Sequence, residues 1–413
     1  MARDHLITGL DVGTTKVCAV IAEIESDSRP NVIGVGVSPC AGLKKGIVVD
    51  LEATTSAIQD AVARAERMAG REVRSVVVGV TGEHIACLNS RSVVAITHPR
   101  REISGDDVER LLDSARVIAL PPEREIIHAI PRWYSIDGQV GVQSPVGMHG
   151  NRLEVETHVI TGLSSFLQNV VECVDQAGLA VEATALEPIA TAESVLLPAE
   201  EDLGVALLDI GGGTSDLAIY IDGEIYYSAV IPVGGNHVTR DVAVGLRTAI
   251  EEAERVKLAW GSALVSEVDS AESFEVTSLG SDKLRQLPRR VLAEIIEPRM
   301  AEICYLVGEQ IRKAGCEERL PAGLVFTGGG SQLQGLPELA SSVLDLPARI
   351  AVPTGVTGLV EAVSSPVCAT AVGLVLYWGR HETRQSESNG KGNLYLSRLI
   401  ARIKELFAVI AGN

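Results

Sequence analysis

The chain has 413 residues, with 36 lysines and arginines against 54 aspartates and glutamates, so its formal net charge is −18. Apolar residues make up 46 %, charged residues 22 % and aromatic residues 3 %. This composition is typical of a globular chain of roughly two to four domains and excludes a disordered, collagen-like or coiled-coil protein. An acidic body repels phosphate backbones, and few aromatic side chains are present for base stacking, so we expect no binding to nucleic acid.

The seven cysteines are dispersed and form no C-x-x-C pair, which favours reduced thiols in the cytosol over a disulfide framework. The first ten residues lack the pattern of a secretory signal peptide. The longest apolar run, at 367–378, contains Thr370 and Gly373 and is shorter than the roughly 20 residues that a membrane-spanning helix needs. We therefore expect no segment that crosses a bilayer.

A glycine-rich turn occurs twice in the same setting. Residues 9–15 read GLDVGTT and residues 208–214 read LDIGGGT, and each turn lies between two predicted strands. That order is typical of a β-hairpin, where glycine adopts turn dihedrals that other residues avoid. The repeat predicts two related domains in one chain.

Between these turns, apolar spacing predicts a helix at 56–69 that ends at Gly70, and a buried strand at 76–80. A second amphipathic helix is predicted at 164–177. Residues from about 84 to 163 then read as an independent module.

The module has predicted strands near 92–97, 125–136 and 154–161. Its helix starts at Ser104, with Asp107 as the partner in a capping box.

The second half is predicted to contain helices at 236–246, 249–260 and 289–313 around a strand-rich patch at 265–279. A short buried strand at 324–326 leads into a third turn, Gly328-Gly329-Gly330, before an expected helix that ends near 336–337. Residues 380–393 are polar and predict a linker.

The last predicted helix, at 394–410, has one apolar face and one polar face rich in arginine and lysine. A basic amphipathic helix after a linker is typical of a peripheral anchor on an anionic membrane surface. A helix docked on its own body or on a partner is the alternative. The apolar face comprises Leu396, Leu399, Ile400, Ile403, Leu406, Phe407 and Ile410.

The residue types of the two repeated turns suit a nucleoside triphosphate. Glycines allow several backbone N–H groups to converge on phosphate oxygens, and Thr14 and Thr214 offer hydroxyls to the same oxygens. Asp11 and Asp209 stand at strand ends, where carboxylates can hold a hydrated Mg²⁺. A single turn of this kind is also ordinary hairpin chemistry. Two such turns facing each other would form a phosphate site.

The third turn would let adenine and ribose lie against bare backbone. Taken alone, it is equally consistent with a flexible loop.

Three segments, GLDVGTTKVCAV, LLDIGGGTSDLAIY and GLVFTGGGSQLQGL, resemble in this order the two phosphate motifs and the adenosine motif of the actin, heat-shock-chaperone and sugar-kinase superfamily. LEPIATAESVL and CATAVGLVLY resemble its two connecting helices. Within that superfamily, VIGVGVSPCAGLKKGIVVDLEAT, HAIPRWYSIDG and VLAEIIEPRMAEI are similar to segments of the FtsA family of bacterial cell-division proteins. The resemblance covers essentially the whole chain.

The resemblance implies an α/β fold, namely a two-lobed actin-like ATPase with an inserted α+β subdomain in the first lobe and a C-terminal amphipathic helix. The implied divisions are 1–83 and 164–203 for subdomain 1A, 84–163 for the inserted subdomain 1C, 204–235 and 314–379 for subdomain 2A with a connecting helix, 236–313 for subdomain 2B, 380–393 for the linker and 394–413 for a membrane-targeting helix.

The resemblance also implies that ATP and Mg²⁺ bind between the lobes. Mg²⁺ would be held through water by Asp11 and Asp209. Glu254 and Lys257 match a pair that contacts ribose and adenine, although a surface ion pair is the simpler reading. The implied nucleotide contacts are Gly13, Thr14, Thr15, Lys16, Asp209, Gly211, Gly212, Gly213, Thr214, Asp216, Glu254, Lys257, Gly328, Gly329 and Gly330.

Glu187 stands just before Pro188, where actin-like ATPases hold an acid or amide that orients the attacking water. Some FtsA sequences keep no acid at this place, so Glu187, with Asp11, favours slow ATP hydrolysis. A favourable interaction of Glu187 with the helix dipole is the alternative.

Three partners follow from the resemblance: the C-terminal peptide of the tubulin-like protein FtsZ, further copies of the chain in an actin-like protofilament, and the membrane surface. Arg285, Arg289 and Arg299 match the surface that holds the FtsZ peptide, and a solvated helix face is the alternative. The expected function is to tether FtsZ filaments to the inner face of the cell membrane at the division site. An actin-like pilus-assembly adaptor and a small-molecule kinase remain as alternatives.

Overall fold

Two β-sheets lie at the centres of two lobes in the computed structural model, which describes residues 5–24, 29–280 and 283–389. The strands are β1 (His5–Val12), β2 (Lys16–Ile24), β3 (Asn31–Pro39), β4 (Leu43–Lys44), β5 (Ile47–Val48), β6 (Ser75–Val80), β7 (Ala86–Ala95), β8 (Arg124–Ile136), β9 (Gln139–Val142), β10 (Arg152–Leu163), β11 (Ala180–Leu186), β12 (Val205–Ile210), β13 (Ser215–Ile221), β14 (Glu224–Ile231), β15 (Ser273–Thr277), β16 (Leu284–Pro288), β17 (Leu324–Thr327), β18 (Ala348–Ile350) and β19 (Thr357–Gly358). The helices are α1 (Leu51–Ala69), α2 (Gly105–Arg116), α3 (Ser164–Gln176), α4 (Glu187–Val195), α5 (Pro198–Leu203), α6 (Gly235–Leu246), α7 (Ile250–Trp260), α8 (Arg289–Ala314), α9 (Leu336–Leu344), α10 (Val360–Val363) and α11 (Ala369–Asn389).

The first lobe is built on a six-stranded sheet in the order β11-β6-β1-β2-β3-β19, with α1 packed against its face. Helix α1 begins five residues before the predicted start, because Asp50 caps it by accepting a 3.0 Å hydrogen bond from the Ala53 N–H. It ends at Gly70 as predicted, where φ is +63°. The apolar spacing predicted the buried face of α1. It did not predict the first turn, because the capping residue Asp50 is polar and is not part of that spacing.

The inserted module is a four-stranded antiparallel sheet in the order β7-β10-β8-β9, with α2 on one face. Ser104 and Asp107 form the predicted capping box of α2. Strand β7 begins at Ala86, six residues before the prediction, and its burial alternates along most of its length. The module has its own core, which includes Ile96, Ile103, Leu111, Leu153 and Val155.

The second lobe is built on a five-stranded sheet in the order β14-β13-β12-β17-β18. The three predicted helices of this half are confirmed as α6, α7 and α8, but the patch at 265–279 contains one strand, β15, and a short 3-10 turn. The helix expected to end near 336–337 in fact begins there as α9. Pro337 lies in its first turn, where the missing N–H costs no helical hydrogen bond.

Helices α4 and α11 pack against each other between the two sheets. The Ser194 hydroxyl donates a 2.8 Å hydrogen bond to the Ala369 carbonyl, and the hydroxyls of Thr191 and Thr370 lie 3.0 Å apart. Arg380 also forms an ion pair with Glu193 of α4. These polar contacts supplement the apolar packing of the two helices between the lobes.

The predicted linker at 380–393 is wrong for most of its length, because α11 continues to Asn389. This segment is polar, but it contains neither glycine nor proline before Gly390, so nothing in its backbone ends the helix. The predicted tail helix and its apolar residues, Leu396, Leu399, Ile400, Ile403, Leu406, Phe407 and Ile410, lie outside the described residues. Within residues 5–24, 29–280 and 283–389, no helix is both long and apolar enough to cross a membrane.

Candidate functional site

The two repeated turns have the same local geometry. In the turn between β1 and β2, the Gly13 N–H donates a 2.9 Å hydrogen bond to the Lys16 carbonyl. In the turn between β12 and β13, the Gly211 N–H donates to the Thr214 carbonyl, also at 2.9 Å. Both hairpins end at the cleft between the lobes. The sequence repeat is therefore a structural repeat, with one turn on each lobe.

The turns contact each other across the cleft at two glycines. A Cβ atom added to Gly213 would lie 2.7 Å from the Thr14 Oγ1, and one added to Gly212 would lie 2.9 Å from the Thr15 Oγ1. Real Cβ atoms do not approach other atoms this closely. These glycines are therefore required by the close approach of the lobes.

Four buried carboxyl groups surround the cleft: Asp11, Glu187, Asp209 and Asp216. Burial, followed by the charge of Asp11, raises the pKa of Asp209 from 3.8 to about 6. Burial and the neighbouring aspartates likewise raise the pKa of Glu187 and Asp216 above their ordinary values. Because these acids repel one another, a cation in the cleft would stabilise their charged forms.

Hydrogen bonds hold two of these carboxyl groups in place. Asp209 Oδ2 accepts from the Thr370 hydroxyl at 3.0 Å, and from the Thr191 hydroxyl at 3.5 Å. Asp216 accepts from Thr81 of the first lobe at 2.6 Å and from Thr214 at 3.2 Å. The site is therefore positioned by both lobes and by both connecting helices.

Lys16 is the basic side chain among the cavity-lining residues. Its Nζ donates to Asp11 Oδ2 at 2.8 Å and to the Val367 carbonyl at 2.5 Å. Burial alone lowers the pKa of this amine, but the charge and hydrogen bond of Asp11 raise it above its ordinary value. Lys16 is therefore charged at neutral pH and available to a phosphate.

The third turn follows β17 and continues into a 3-10 turn, Gly329–Gln332, instead of the expected helix. Gly328 has φ of +80° and lies against Asp209 and the Ile210 carbonyl, where a side chain would not fit. Its backbone therefore closes the second-lobe side of the cleft.

Most of the predicted nucleotide residues surround one cavity of about 50 Å³. Small-molecule pockets usually measure about 300–1,000 Å³, so the lobes must separate to admit a nucleotide. The predicted residues that line it are Asp11, Gly13, Thr14, Thr15, Lys16, Glu187, Asp209, Gly211, Gly212, Thr214, Asp216, Gly328 and Gly329.

Four predicted residues, Gly213, Gly330, Glu254 and Lys257, do not line this cavity. Lys257 Nζ lies 2.7 Å from Glu254 Oε2 and donates to the Thr239 hydroxyl at 2.8 Å. It also donates to the Gly235 carbonyl at 3.3 Å, and the Gly235 N–H in turn donates to the Gly211 carbonyl. Glu254 and Lys257 therefore form an ion pair, and Lys257 is linked to the second turn through Gly235.

Sequence reasoning did not single out five residues that line the cavity, Gly46, Thr81, Pro366, Val367 and Thr370. Thr81 directly follows the buried strand predicted at 76–80, and a polar residue at a strand end is a signal that could have marked it as a candidate. Gly46 and Thr370 lie in the family-like segments 32–54 and 368–377, which predicted no role for them in the site. Pro366 and Val367 belong to no such segment and reach the cleft only through the tertiary fold.

The Mg²⁺ ligands expected from sequence, Asp11 and Asp209, both line the cavity. Among the residues that the structure describes, no group of three or more His, Cys, Asp or Glu side chains is arranged to hold a metal ion. The acidic cleft fits a hydrated ion whose remaining ligands are water and phosphate. Coordination of Mg²⁺ through water stays a prediction.

The three arginines assigned to a partner surface each have a different contact. Arg299 lies between α8 and α6, where it pairs with Asp241 at 2.6 Å and with Glu302. Arg289 pairs with Glu272 at 2.6 Å and donates to Gln334, and Arg285 donates to the Leu246 carbonyl. Ten residues of helix α8, roughly 15 Å, separate Arg289 from Arg299. The structure therefore does not gather the three into one cluster.

Comparisons with known proteins agree with this architecture. A family model described as cell division protein FtsA matches residues 206–373, and one described as the SHS2 domain inserted in FtsA matches residues 82–161. A cell division protein FtsA of Pseudomonas aeruginosa is 42 % identical over 392 residues, which cover 95 % of this chain and 94 % of the relative. The FtsA of Escherichia coli K12 is 39 % identical over 396 residues, covering 94 % and 93 %.

Among solved structures, a PilM-PilN type IV pilus biogenesis complex matches with a TM-score of 0.65 at 19 % identity, over 90 % of this chain and 98 % of the other. MreB5 of Spiroplasma citri bound to ADP matches with a TM-score of 0.54 at 16 % identity, over 93 % and 98 %. At such identities the likeness shows the fold alone. It confirms the predicted two-lobed actin-like α/β fold.

Proposed function

The chain belongs to the FtsA family of cell division proteins, and from this we propose that it binds ATP and links FtsZ filaments to the inner face of the cytoplasmic membrane. The family gives the chain an actin-like role in cell division. The nucleotide, FtsZ, membrane and polymer parts of the proposal rest on the separate observations below.

Nucleotide binding is supported above all by the two glycine turns that meet across the cleft beside Lys16. In this arrangement the backbone N–H groups of both turns bind phosphate oxygens, and the Lys16 ammonium neutralises phosphate charge. Asp11 and Asp209 would hold the water shell of Mg²⁺. The cation would supply positive charge beside the phosphates and would offset the repulsion among the buried acids.

Glu187 is proposed to orient water for slow hydrolysis. It is buried in the first turn of α4, with its side chain against Gly79. Burial and the neighbouring aspartates raise the pKa of Glu187, and a cation in the cleft would oppose this shift and favour the carboxylate, which is the stronger acceptor for a water proton. Its position at a helix N-terminus is compatible with this role as well as with the dipole alternative.

FtsZ is proposed to bind near Arg299 on the face between α6 and α8. Val244 lies on α6 three residues after Asp241, the partner of Arg299, and is 73 % exposed. A peptide with acidic and apolar residues could replace the Asp241 contact and cover Val244. Arg285 and Arg289 would then contribute less to peptide binding than Arg299. Arg289 lies roughly 15 Å from Arg299 along α8, and Arg285 precedes that helix.

Membrane attachment is proposed for the tail at 394–413. One amphipathic helix with a few positive charges binds an anionic surface weakly, at roughly 1 kcal/mol per basic residue. Self-association into an actin-like protofilament would strengthen attachment, because several tails then engage one surface.

The alternative functions are less well supported. The pilus complex shares the fold at 19 % identity, whereas the FtsA relatives share about twice that over nearly their whole length. A small-molecule kinase would need a substrate site beside the phosphates, and most of the residues that line the described cavity belong to the predicted nucleotide site.

Co-sedimentation of the full chain and FtsZ with anionic liposomes, with and without Mg-ATP, tests the proposal. We expect FtsZ to sediment with the liposomes only when the full chain is present. A chain lacking residues 394–413 is the matched control and should leave FtsZ in the supernatant. Equal sedimentation of FtsZ with the truncated chain would contradict the tethering role.

A further inference from the structure

A chain of polar side chains, buried at its centre, joins the inserted subdomain to the second lobe. His158 of β10 lies with its Nδ1 2.7 Å from Asn89 Oδ1 of β7 and its Nε2 2.9 Å from the Ser228 Oγ of β14. The Cys87 Sγ lies 2.9 Å from the same Ser228 oxygen. His158 and Ser228 are only 1 % and 2 % exposed. We call these four residues the junction chain.

The protonation of the junction chain follows from its partners. Burial, followed by the charge of Arg132, lowers the pKa of His158 to about 4, so the ring is neutral at physiological pH. The Asn89 oxygen can only accept, so Nδ1 has the proton and Nε2 accepts from the Ser228 hydroxyl. The Ser228 oxygen in turn accepts from the Cys87 thiol. Separating the two subdomains would break both bonds to Ser228, and the buried ring of His158 would need water as a new partner.

A second contact strengthens the same junction. Arg132 of β8 lies 4.1 Å from the centre of the Tyr226 ring on β14, and Arg319 lies 5.0 Å from the centre of that ring. Arg132 is also paired with Glu156 at 2.6 Å and is 6 % exposed. A desolvated cation over an aromatic ring is stabilising. Strand β14, an edge strand of the second lobe, is therefore held at two places.

The inserted subdomain is also bound directly to the first lobe. The Leu186 N–H donates to His128 Nε2 of β8 at 2.9 Å, and the next residue is Glu187. The inserted subdomain thus contacts the first lobe beside the cleft and the second lobe at β14.

This bridge has a mechanical consequence, because the 50 Å³ cleft must widen before a nucleotide fits. When the lobes separate, the inserted subdomain cannot keep both sets of contacts unchanged. We propose that the junction chain of Cys87, Ser228, His158 and Asn89 is a latch, which couples the position of the inserted subdomain to the opening of the nucleotide cleft. The inference rests on the proposed nucleotide site and concerns its regulation.

A reversible cross-link tests the latch. The Ser228→Cys substitution places a second thiol beside Cys87, and a disulfide exchange reagent such as oxidised dithiothreitol joins the two sulfurs and is itself reduced to the dithiol. Association of a fluorescent ATP analogue with Mg²⁺ is then measured on the full chain, before and after reduction. We expect about tenfold slower association in the oxidised form, reversed by reductant.

Two controls isolate the junction. Oxidised wild type reports any effect of Cys18 and Cys368, whose sulfurs lie 3.9 Å apart beside the cleft. The double variant Cys87→Ser with Ser228→Cys cannot form the cross-link. Equal association rates in the oxidised and reduced single variant, or failure of the two thiols to join, would overturn the latch. Absence of binding in every form, wild type included, would instead contradict the nucleotide site.

The wild-type chain provides a second measurement that needs no substitution. Cys87 is partly exposed, whereas the other six cysteines are buried. If nucleotide binding widens the cleft and loosens the junction, alkylation of Cys87, located by mass spectrometry, should become about fivefold faster with a non-hydrolysable ATP analogue. An unchanged alkylation rate at saturating analogue would show that the junction does not respond to the cleft.

Discussion

Thr81 of the first lobe donates a 2.6 Å hydrogen bond to Asp216 of the second lobe, directly across the cleft. A hydrogen bond to a carboxylate lowers its pKa, yet burial and the neighbouring Asp209 raise the pKa of Asp216 overall. In the closed cleft the raised pKa values therefore favour the protonated forms of the acids, and a bound cation would instead favour their ionised forms. This relation determines how the stability of the protein should depend on pH.

Stability of the nucleotide-free chain should fall as pH rises from about 4 to about 6. Asp209 has a pKa near 3.8 when unfolded and about 6 when folded, so the folded state binds the proton more tightly in this window. Full ionisation then costs about 2–3 kcal/mol of unfolding free energy. Urea denaturation at several pH values measures this loss. The near-isosteric Asp209→Asn should make this loss smaller, although Asp216 and Glu187 still contribute through their raised pKa values. An identical pH slope in both chains would contradict the account.

The same substitution should have the opposite effect on ligand binding. Asp209→Asn removes a carboxylate proposed to hold the water shell of Mg²⁺, so Mg-ATP affinity should fall by about tenfold or more. Calorimetric titration with Mg-ATP and with metal-free ATP separates the two ligands. Loss confined to Mg-ATP is expected, and normal Mg-ATP binding would refute the assignment of Asp209.

Gly213→Ala should prevent full closure of the cleft, because the added Cβ would lie 2.7 Å from the Thr14 Oγ1. The closed form excludes the nucleotide, so we expect association of a fluorescent ATP analogue to become about tenfold faster. Gly105→Ala, where a Cβ meets nothing within 4 Å, is the matched control and should leave association unchanged. Association as slow as in the wild type would show that a Cβ at position 213 does not hold the lobes apart.

Lys16→Met should weaken ATP binding by about a hundredfold, because the variant keeps much of the side-chain length and loses the charge that meets the phosphates. Lys44→Met, at an exposed position on β4, keeps the same change in net charge away from the cavity. Equilibrium titration of both variants measures the effect. Similar losses in both would show that only overall charge matters.

Arg299→Glu should weaken capture of an FtsZ C-terminal peptide by about tenfold, since it replaces the proposed cation with a like charge. Arg290→Glu reverses a charge on the same helix, at a residue paired with Glu294 on an exposed face, and should have little effect. Fluorescence anisotropy with a labelled peptide gives both affinities. Unchanged affinity in Arg299→Glu would place the peptide elsewhere.

The sequence predicted the cleft well because its main features are local. Each turn needs glycines and an aspartate at adjacent positions, and the repeat at Asp11 and Asp209 made the pair visible. Gly46 and Thr370 lie in family-like segments, but those segments do not show that either residue reaches the cavity, which depends on the packing of distant parts of the chain. The junction chain was missed for the same reason, since Ser228 meets His158 only through the docking of two subdomains.

Two local errors have different physical causes. The polar composition after Trp378 resembled a linker, although helix formation depends on the absence of glycine and proline more than on polarity. Leu336 and Pro337 were read as a helix end, although proline suits the first turn of a helix. In both cases the residue types are compatible with a helix as well as with a non-helical segment.

The continuation of α11 to Asn389 determines how far the body can stand from a lipid surface. Only residues 390–393 separate that helix from the predicted membrane-binding segment, and four extended residues span at most roughly 14 Å. If the tail binds lipid as proposed, the two lobes stay close to the lipid surface, because only a short connection separates them from it. Since α11 also packs on α4 between the lobes, their movement would be transmitted to the angle at which the molecule meets the bilayer.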